Sequence, residues 1–176
     1  MKKIIGLFFA VLFSAGLYAQ EDVIKFLGIP VDGTKQEMIQ KLQSKGFTYD
    51  QQEDDLQGEF NGEQVSIQVQ TKNGKVWRLA IADKKFRSER QIKKRFNTLV
   101  AQFENNSKYI PLLGSQTINE NENISYEISF HDKKYLAAFI PKTVGYVYFQ
   151  IFKNGRDYII GMYYENPNNE AKDSDL

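Results

Sequence analysis

Four groups of side chains in this sequence are of types that can do chemistry. The single histidine, His131, is followed directly by Asp132, a pair that elsewhere orients an imidazole for general-base work. Glu53, Asp54 and Asp55, with Asp50 and Glu59 close by, offer hard oxygen ligands of the kind that hold Ca²⁺. Lys84, Lys85, Arg87, Arg90, Lys93, Lys94 and Arg95 place seven cations within twelve residues, with Glu89 the only acid among them. Seven of the ten tyrosines fall between Tyr126 and Tyr164, less than a quarter of the chain.

Each group has a plain reading beside the chemical one. Neighbouring residues on a strand point to opposite faces, and no nucleophile is linked in sequence to His131, so it reads as an exposed turn histidine. The acidic stretch lacks the alternating Asp/Asn and the glycine of an EF-hand loop, and reads as a solvated loop. The basic run is harder to explain away. Cations in the first turns of a helix oppose its macrodipole, at roughly a few tenths of a kcal/mol each when exposed. An ordinary solvated helix face would tolerate them. Otherwise they pair with the acidic 50–59 stretch of the same chain or a neighbour, or meet an acidic protein or anionic lipid head groups at a membrane surface.

Composition narrows the classes further. The chain has 176 residues, 23 Lys+Arg, 22 Asp+Glu, one His and no Cys. Without cysteine there is no disulfide framework, thiol nucleophile, iron–sulfur cluster, zinc-thiolate site or lipidated N-terminal cysteine. One histidine excludes a His-rich metal site within the chain, and no cofactor is expected. Near-neutrality argues against a general nucleic-acid binder.

The N-terminus sets the compartment. Met1-Lys2-Lys3 is a short cationic region, Ile4 to Phe13 is apolar apart from Gly6, and small residues lead to Ala19. This is the pattern of a secretory signal cleaved before Gln20. A membrane anchor needs about 20 apolar residues, and Ile4 to Tyr18 is too short. The mature chain then loses Lys2 and Lys3, carries a net charge of −1, and is expected in the periplasm or outside the cell.

The elements that must position these groups can be read next. Thr34-Lys35-Gln36-Glu37 and Ser88-Glu89-Arg90-Gln91 have the form of capping boxes. Met38, Ile39 and Leu42 follow the first, giving a helix near 35–45 that stops around Gly46. Ile92, Phe96, Leu99, Val100 and Phe103 follow the second as the apolar stripe of a helix over 89–105. After each helix the period changes to two. Val65, Ile67 and Val69 alternate with polar residues, Trp77, Leu79 and Ile81 alternate with Val76, Arg78 and Ala80, and Asn61-Gly62 and Asn73-Gly74 mark hairpin turns. Ile124, Tyr126, Ile128 and Phe130 alternate likewise, and read as a strand turning at Asp132-Lys133 into 134–140. Strands over 144–152 and 156–164 follow, joined at Asn154-Gly155, and Tyr109-Ile110 is a short strand in the connecting loop.

The chain thus reads helix, meander, helix, meander, an internal repeat of pattern with a period of roughly 60 to 75 residues. In 144–152, Val147, Phe149 and Ile151 share one face while Tyr146, Tyr148 and Phe152 reach the other. In 156–164, Tyr158, Ile160, Met162 and Tyr164 oppose Ile159 and Tyr163. Both faces of these strands are partly apolar, which a sheet covered on one side does not require. Either the second face packs on the first repeat, or a Tyr-rich face is left exposed for recognition.

The stretch Phe26-Leu27-Gly28-Ile29-Pro30-Val31-Asp32-Gly33-Thr34, followed by a helix ending Lys45-Gly46-Phe47, resembles the opening of a family of exported bacterial proteins. The doubled helix-plus-meander plan resembles the tandem modules of β-lactamase inhibitor proteins and the small module of outer-membrane assembly lipoproteins. The resemblance implies protein binding through a sheet face, without catalysis. The lipidated cysteine of the lipoproteins is missing here.

The expected architecture is therefore α+β: a signal at 1–19, helix-plus-meander units at 20–86 and 87–164 with helices on one sheet face, and a flexible polar tail at 165–176. Trp77, Leu79, Ile81, Phe96, Leu99, Phe103, Ile128, Phe130, Phe149 and Ile151 form the expected core. The expected function is that of an exported, non-enzymatic binding module for a protein or envelope component. Tyr146, Tyr148 and Phe152 supply contact area, and Arg87, Arg90, Lys94 and Arg95 supply charge. The alternative is a small-ligand carrier with a pocket between helix and sheet. An enzyme ranks third, because no pair of acids can be placed in one cleft from sequence.

Overall fold

A computed structural model describes residues 22–114 and 116–170; the signal read at 1–19 lies outside them. Among the described residues the fold is α+β, with three helices and a large antiparallel sheet. A two-stranded ribbon, β1 (Lys25–Phe26) and β2 (Ile29–Pro30), opens the described chain. Helix α1 (Lys35–Gln43) follows, then β3 (Thr48–Asp50), β4 (Asp55–Phe60), β5 (Glu63–Lys72) and β6 (Lys75–Asp83). Helix α2 (Glu89–Glu104) leads to β7 (Tyr109–Pro111) and α3 (Ile124–His131), and β8 (Leu136–Pro141), β9 (Tyr146–Asn154) and β10 (Asp157–Glu165) complete the sheet. Its strand order is β3-β4-β5-β6-β10-β9-β8-β7. Among the described residues no helix is long and apolar enough to cross a membrane.

Local chemistry explains most of these boundaries. At α1, Thr34 Oγ1 accepts from Glu37 N at 3.3 Å and Glu37 Oε2 accepts from Thr34 N at 2.9 Å, so two orphan donors of the first turn are satisfied reciprocally. At α2, Gln91 Oε1 accepts from Ser88 N at 3.1 Å. Asn61-Gly62 and Asn73-Gly74 all take positive φ, between 52° and 77°, as two-residue hairpins require.

The core lies on one side of the sheet. Leu56, Ile67, Ile81, Met162, Phe149 and Ala137 stand directly opposite one another in successive strands, and all are buried. Met38 and Leu42 of α1 and Ile92, Phe96, Leu99, Val100 and Phe103 of α2 join the same cluster. Phe96 meets Phe149 edge-on at 5.2 Å, and Phe103 stacks on Phe139 at 4.9 Å.

Three expectations are corrected. Residues 124–131 form a helix instead of a strand. A string with apolar residues at every second position also contains i, i+4 pairs, so it satisfies both periods. Ile124 and Ile128 turn one way, the first buried and the second half-buried, while Tyr126 and Phe130 turn outward with ring centroids 4.9 Å apart. Phe130, expected in the core, is 73% exposed. Asn123 decides for the helix: its Oδ1 accepts from Tyr126 N at 2.9 Å, a cap that a strand could not use. Trp77, also expected inside, is only half-buried. Gln70 pairs with Arg78 and Thr71 with Val76, which leaves Trp77 as the extra residue of a β-bulge. The bulge hands the inward position to Val76, which is fully buried.

The third correction concerns the end of the chain. Glu165 closes β10 and Asn166 is buried. Asn166 N donates to Trp77 O at 2.7 Å and its Nδ2 to Val31 O at 2.9 Å, while Asn169 Nδ2 donates to Val76 O at 2.8 Å. Residues 165–169 are thus a stitch across β2 and β6 instead of a tail; 171–176 lie outside the described residues.

Candidate functional site

Because side chains alternate along a strand, the residues between those of the core form the opposite face, on which none of the described helices packs. Cross-strand register defines its rows. One runs Gln57, Ser66, Ala82, Gly161, Gln150, Leu136; the next runs Gln68, Ala80, Tyr163, Tyr148, Ala138; a third runs Gln70, Arg78, Glu165, Tyr146. The face changes character across its width. Over β4 and β5 it is amide and hydroxyl; over β9 and β10 it is aromatic.

The aromatic part is fixed by a small network. Tyr148 and Tyr163 stack with centroids 4.8 Å apart, and the Tyr148 hydroxyl donates to Glu165 Oε1 at 2.7 Å. Glu165 also receives Arg78, Nη2 to Oε1 at 2.5 Å. The Arg78 guanidinium lies 4.0 Å from the centre of Trp77 and 5.5 Å from that of Tyr163, a cation between two rings. Burial first, and the bond to Glu165 second, push the Tyr148 hydroxyl above its ordinary value, so it remains a protonated donor across the physiological range.

Two hollows flank this network. One, of about 310 Å³, runs over Ser66, Ala80, Ala82 and Gly161, with Phe152, Ile159 and Tyr163 on one rim and Gln68 on the other. Its floor exists because these residues are small; a Cβ at Gly161 would sit 2.7 Å from the Phe152 ring. The other, of about 230 Å³, lies between Tyr146, Tyr148, Leu112 and Leu136. Tyr146 is 43% exposed and Phe152 is 37% exposed, so both rings are partly open to solvent.

The basic run has a different fate. Arg87 is only 6% exposed; its Nη2 meets Glu63 Oε1 at 2.5 Å and its Nη1 meets Asp83 Oδ2 at 3.0 Å. Arg95 Nε approaches the same Asp83 oxygen at 3.3 Å. Arg87 and Arg95 therefore turn their charge inward, to a buried carboxylate, and not to solvent. Desolvation nonetheless outweighs both guanidinium groups and raises the Asp83 carboxyl above the usual carboxylate range. Lys93 Nζ donates to the carbonyls of Glu120 and Glu122. Arg90 and Lys94 remain exposed on α2. Since α2 packs on the covered side, the sheet separates these two cations from Tyr146, Tyr148 and Phe152, and the seven residues singled out from sequence do not form one surface.

The acidic stretch is absorbed locally. Asp54 pairs with Lys35 and accepts from the Tyr49 hydroxyl at 2.6 Å, and Asp50 Oδ1 accepts from Gln52 N and Glu53 N. The Lys35 and Tyr49 bonds hold the Asp54 carboxyl below its usual value. His131 is exposed at the end of α3, its Nδ1 3.0 Å from Glu127 Oε2, an i, i+4 contact within the helix.

Sequence reasoning missed the Asp83 cluster, although the signal was there. Asp83 continues the inward parity of Leu79 and Ile81, so its carboxylate had to find a partner. Arg87, four residues on, is the cation that meets it at 3.0 Å. Compared with known protein families, curated proteins and solved structures, the chain matches none of them.

Proposed function

We propose that this chain is an exported, non-enzymatic binding protein, engaging another protein or an envelope component through the open face of its sheet. The observation that carries the reading is the placement of Tyr146 and Phe152 beside the Tyr148–Tyr163 stack, on a face that no described helix covers. Tyrosine offers a large rigid area with a polar tip, and a few buried aromatic anchors dominate the energy of typical interfaces. The amide-rich part over β4 and β5 suits the polar rim of such an interface.

The sheet order supports a further reading of the architecture. With α1 before β3–β6 and α2 before β7–β10, the two halves read as like units meeting edge to edge through β6 and β10, α3 being an insertion in the second. The binding face then spans the seam between them. Arg90 and Lys94, on the far side, belong to a separate and weaker contact, such as an acidic protein or anionic lipid surface.

The test uses the mature chain with Tyr146→Ala and Phe152→Ala combined, both exposed, alongside the wild type. Crosslinking and pull-down from an envelope fraction should yield a partner with the wild type and lose it with the double variant at unchanged thermal stability. Equal capture by both proteins would sink the aromatic-face reading.

A further inference from the structure

A hollow of about 440 Å³ lies away from the open face, where the β1–β2 ribbon, the end of α2 and the β8–β9 turn converge. Its wall is apolar: Ile24, Tyr109 and Tyr164 line it, and the first and last are buried. Its rim is cationic. Lys25, Lys108 and Lys142 all border it. Lys25 is paired with Asp22 at 2.8 Å. Lys108 and Lys142 have no carboxylate partner among the described residues, although both are exposed and free to seek one.

The backbone brings these last two side by side. Lys142 N donates to Lys108 O at 3.1 Å, extending the β7–β8 pairing by one step. Like charges on adjoining strands repel, so their placement is unfavourable unless something anionic sits between or above them. The Tyr109 and Tyr164 hydroxyls hydrogen-bond to each other within the wall.

We propose that this hollow binds a soluble organic anion with an apolar body, its charged head held by Lys108 and Lys142 and its body laid against Ile24, Tyr109 and Tyr164. The volume falls within the range of about 300 to 1,000 Å³ common for small-molecule sites. A few convergent polar groups over an apolar wall is the arrangement that fixes such a ligand's orientation. The site is independent of the aromatic face: it draws on the opposite surface and on other residues.

Octanoate is the probe, with acetate (charge without body) and 1-octanol (body without charge) as its controls. Titrated into the mature protein and followed by amide chemical shifts, octanoate should saturate one site, with the shifts clustered at 106–109 and 142–143. Acetate and 1-octanol should bind at least about tenfold more weakly. The double variant Lys108→Gln/Lys142→Gln should bind octanoate about tenfold more weakly, the loss of roughly one charge-assisted hydrogen bond. Its wild-type-like spectrum should show that the fold is intact. Octanoate that does not saturate overturns the proposal, as does 1-octanol binding equally well or a double variant that binds unchanged. Cosedimentation with phosphatidylglycerol vesicles in the absence of octanoate binding would overturn it too, by moving the anion to a lipid surface.

Discussion

The row Leu56, Ile67, Ile81, Met162, Phe149, Ala137 and the row Gln57, Ser66, Ala82, Gly161, Gln150, Leu136 run side by side across the same six strands. They differ by one residue in each strand. The first is buried throughout beneath α1 and α2; the second is a shallow channel edged by rings. Strand alternation allows one set of backbones to serve both ends, and the division of labour is visible in how each face treats its aromatics. On the covered face, Phe96, Phe103, Phe139 and Phe149 interlock with one another. On the open face Tyr148 and Tyr163 stack, while Tyr146 and Phe152 stay exposed. Packing decides stability on the first face. On the second, rings are left open to solvent.

Substitutions should separate the two faces by size of effect. The largest change is expected from Phe149→Ala, which empties the centre of the covered face and should cost about 3–5 kcal/mol in chemical denaturation. A loss below about 1 kcal/mol would mean that the covered face is not the structural one.

Next comes Arg87→Gln, which removes one guanidinium from Asp83 and strands Glu63. Breaking a buried pair in this way costs about 3 kcal/mol at neutral pH. The sign of its pH dependence follows from Asp83. A carboxyl whose folded-state pKa is raised contributes stability that is complete below the ordinary value near 4 and is lost as pH rises through the folded value. Removing a cation pushes that folded value higher still. The deficit of the variant should therefore shrink as pH is lowered from 7 toward about 4, read by melting at matched pH; a deficit that stays constant would contradict it.

The smallest effect is expected on the open face. Tyr148→Phe keeps the stack and loses only the hydroxyl bond to Glu165, about 1 kcal/mol. Burial holds the Tyr148 pKa above its ordinary value, so stability from this group is intact below about pH 10 and falls as pH rises beyond it. Melting curves from pH 9 to 12 should decline more steeply for the wild type than for the variant. Parallel curves would place the Tyr148 hydroxyl in open solvent.

How much of this was legible in the sequence depended on the range of the deciding interaction. Thr34 and Glu37, Ser88 and Gln91, and the Asn61-Gly62 and Asn73-Gly74 turns act within four residues, and the helices and hairpins they govern stand where the pattern put them. The parity of Tyr146, Tyr148 and Phe152 against Val147, Phe149 and Ile151 was equally local, and it holds. Trp77 failed because its bulge is a property of the pairing with Gln70 and Thr71, not of its own neighbours. Residues 124–131 failed because one string satisfied two periods and only Asn123 broke the tie. The basic run failed for a different reason: charge density in sequence does not reveal that Asp83 and Glu63 draw Arg87 and Arg95 inward.

The pairing of β6 with β10 has a consequence for how the chain reaches this state. Every other neighbouring pair in the sheet joins strands close in sequence, apart from β7 with β8, which are separated by α3. Gly161 meets Ala82 across about eighty residues, and closing a loop of that length must come before the contacts that reward it. Hairpins form in microseconds, so the outer strands can assemble on their own schedule and wait. The seam sets the folding time. A conservative truncation there, such as Ile81→Val, should slow refolding, whereas the same truncation at Ile67, away from the seam, should chiefly speed unfolding.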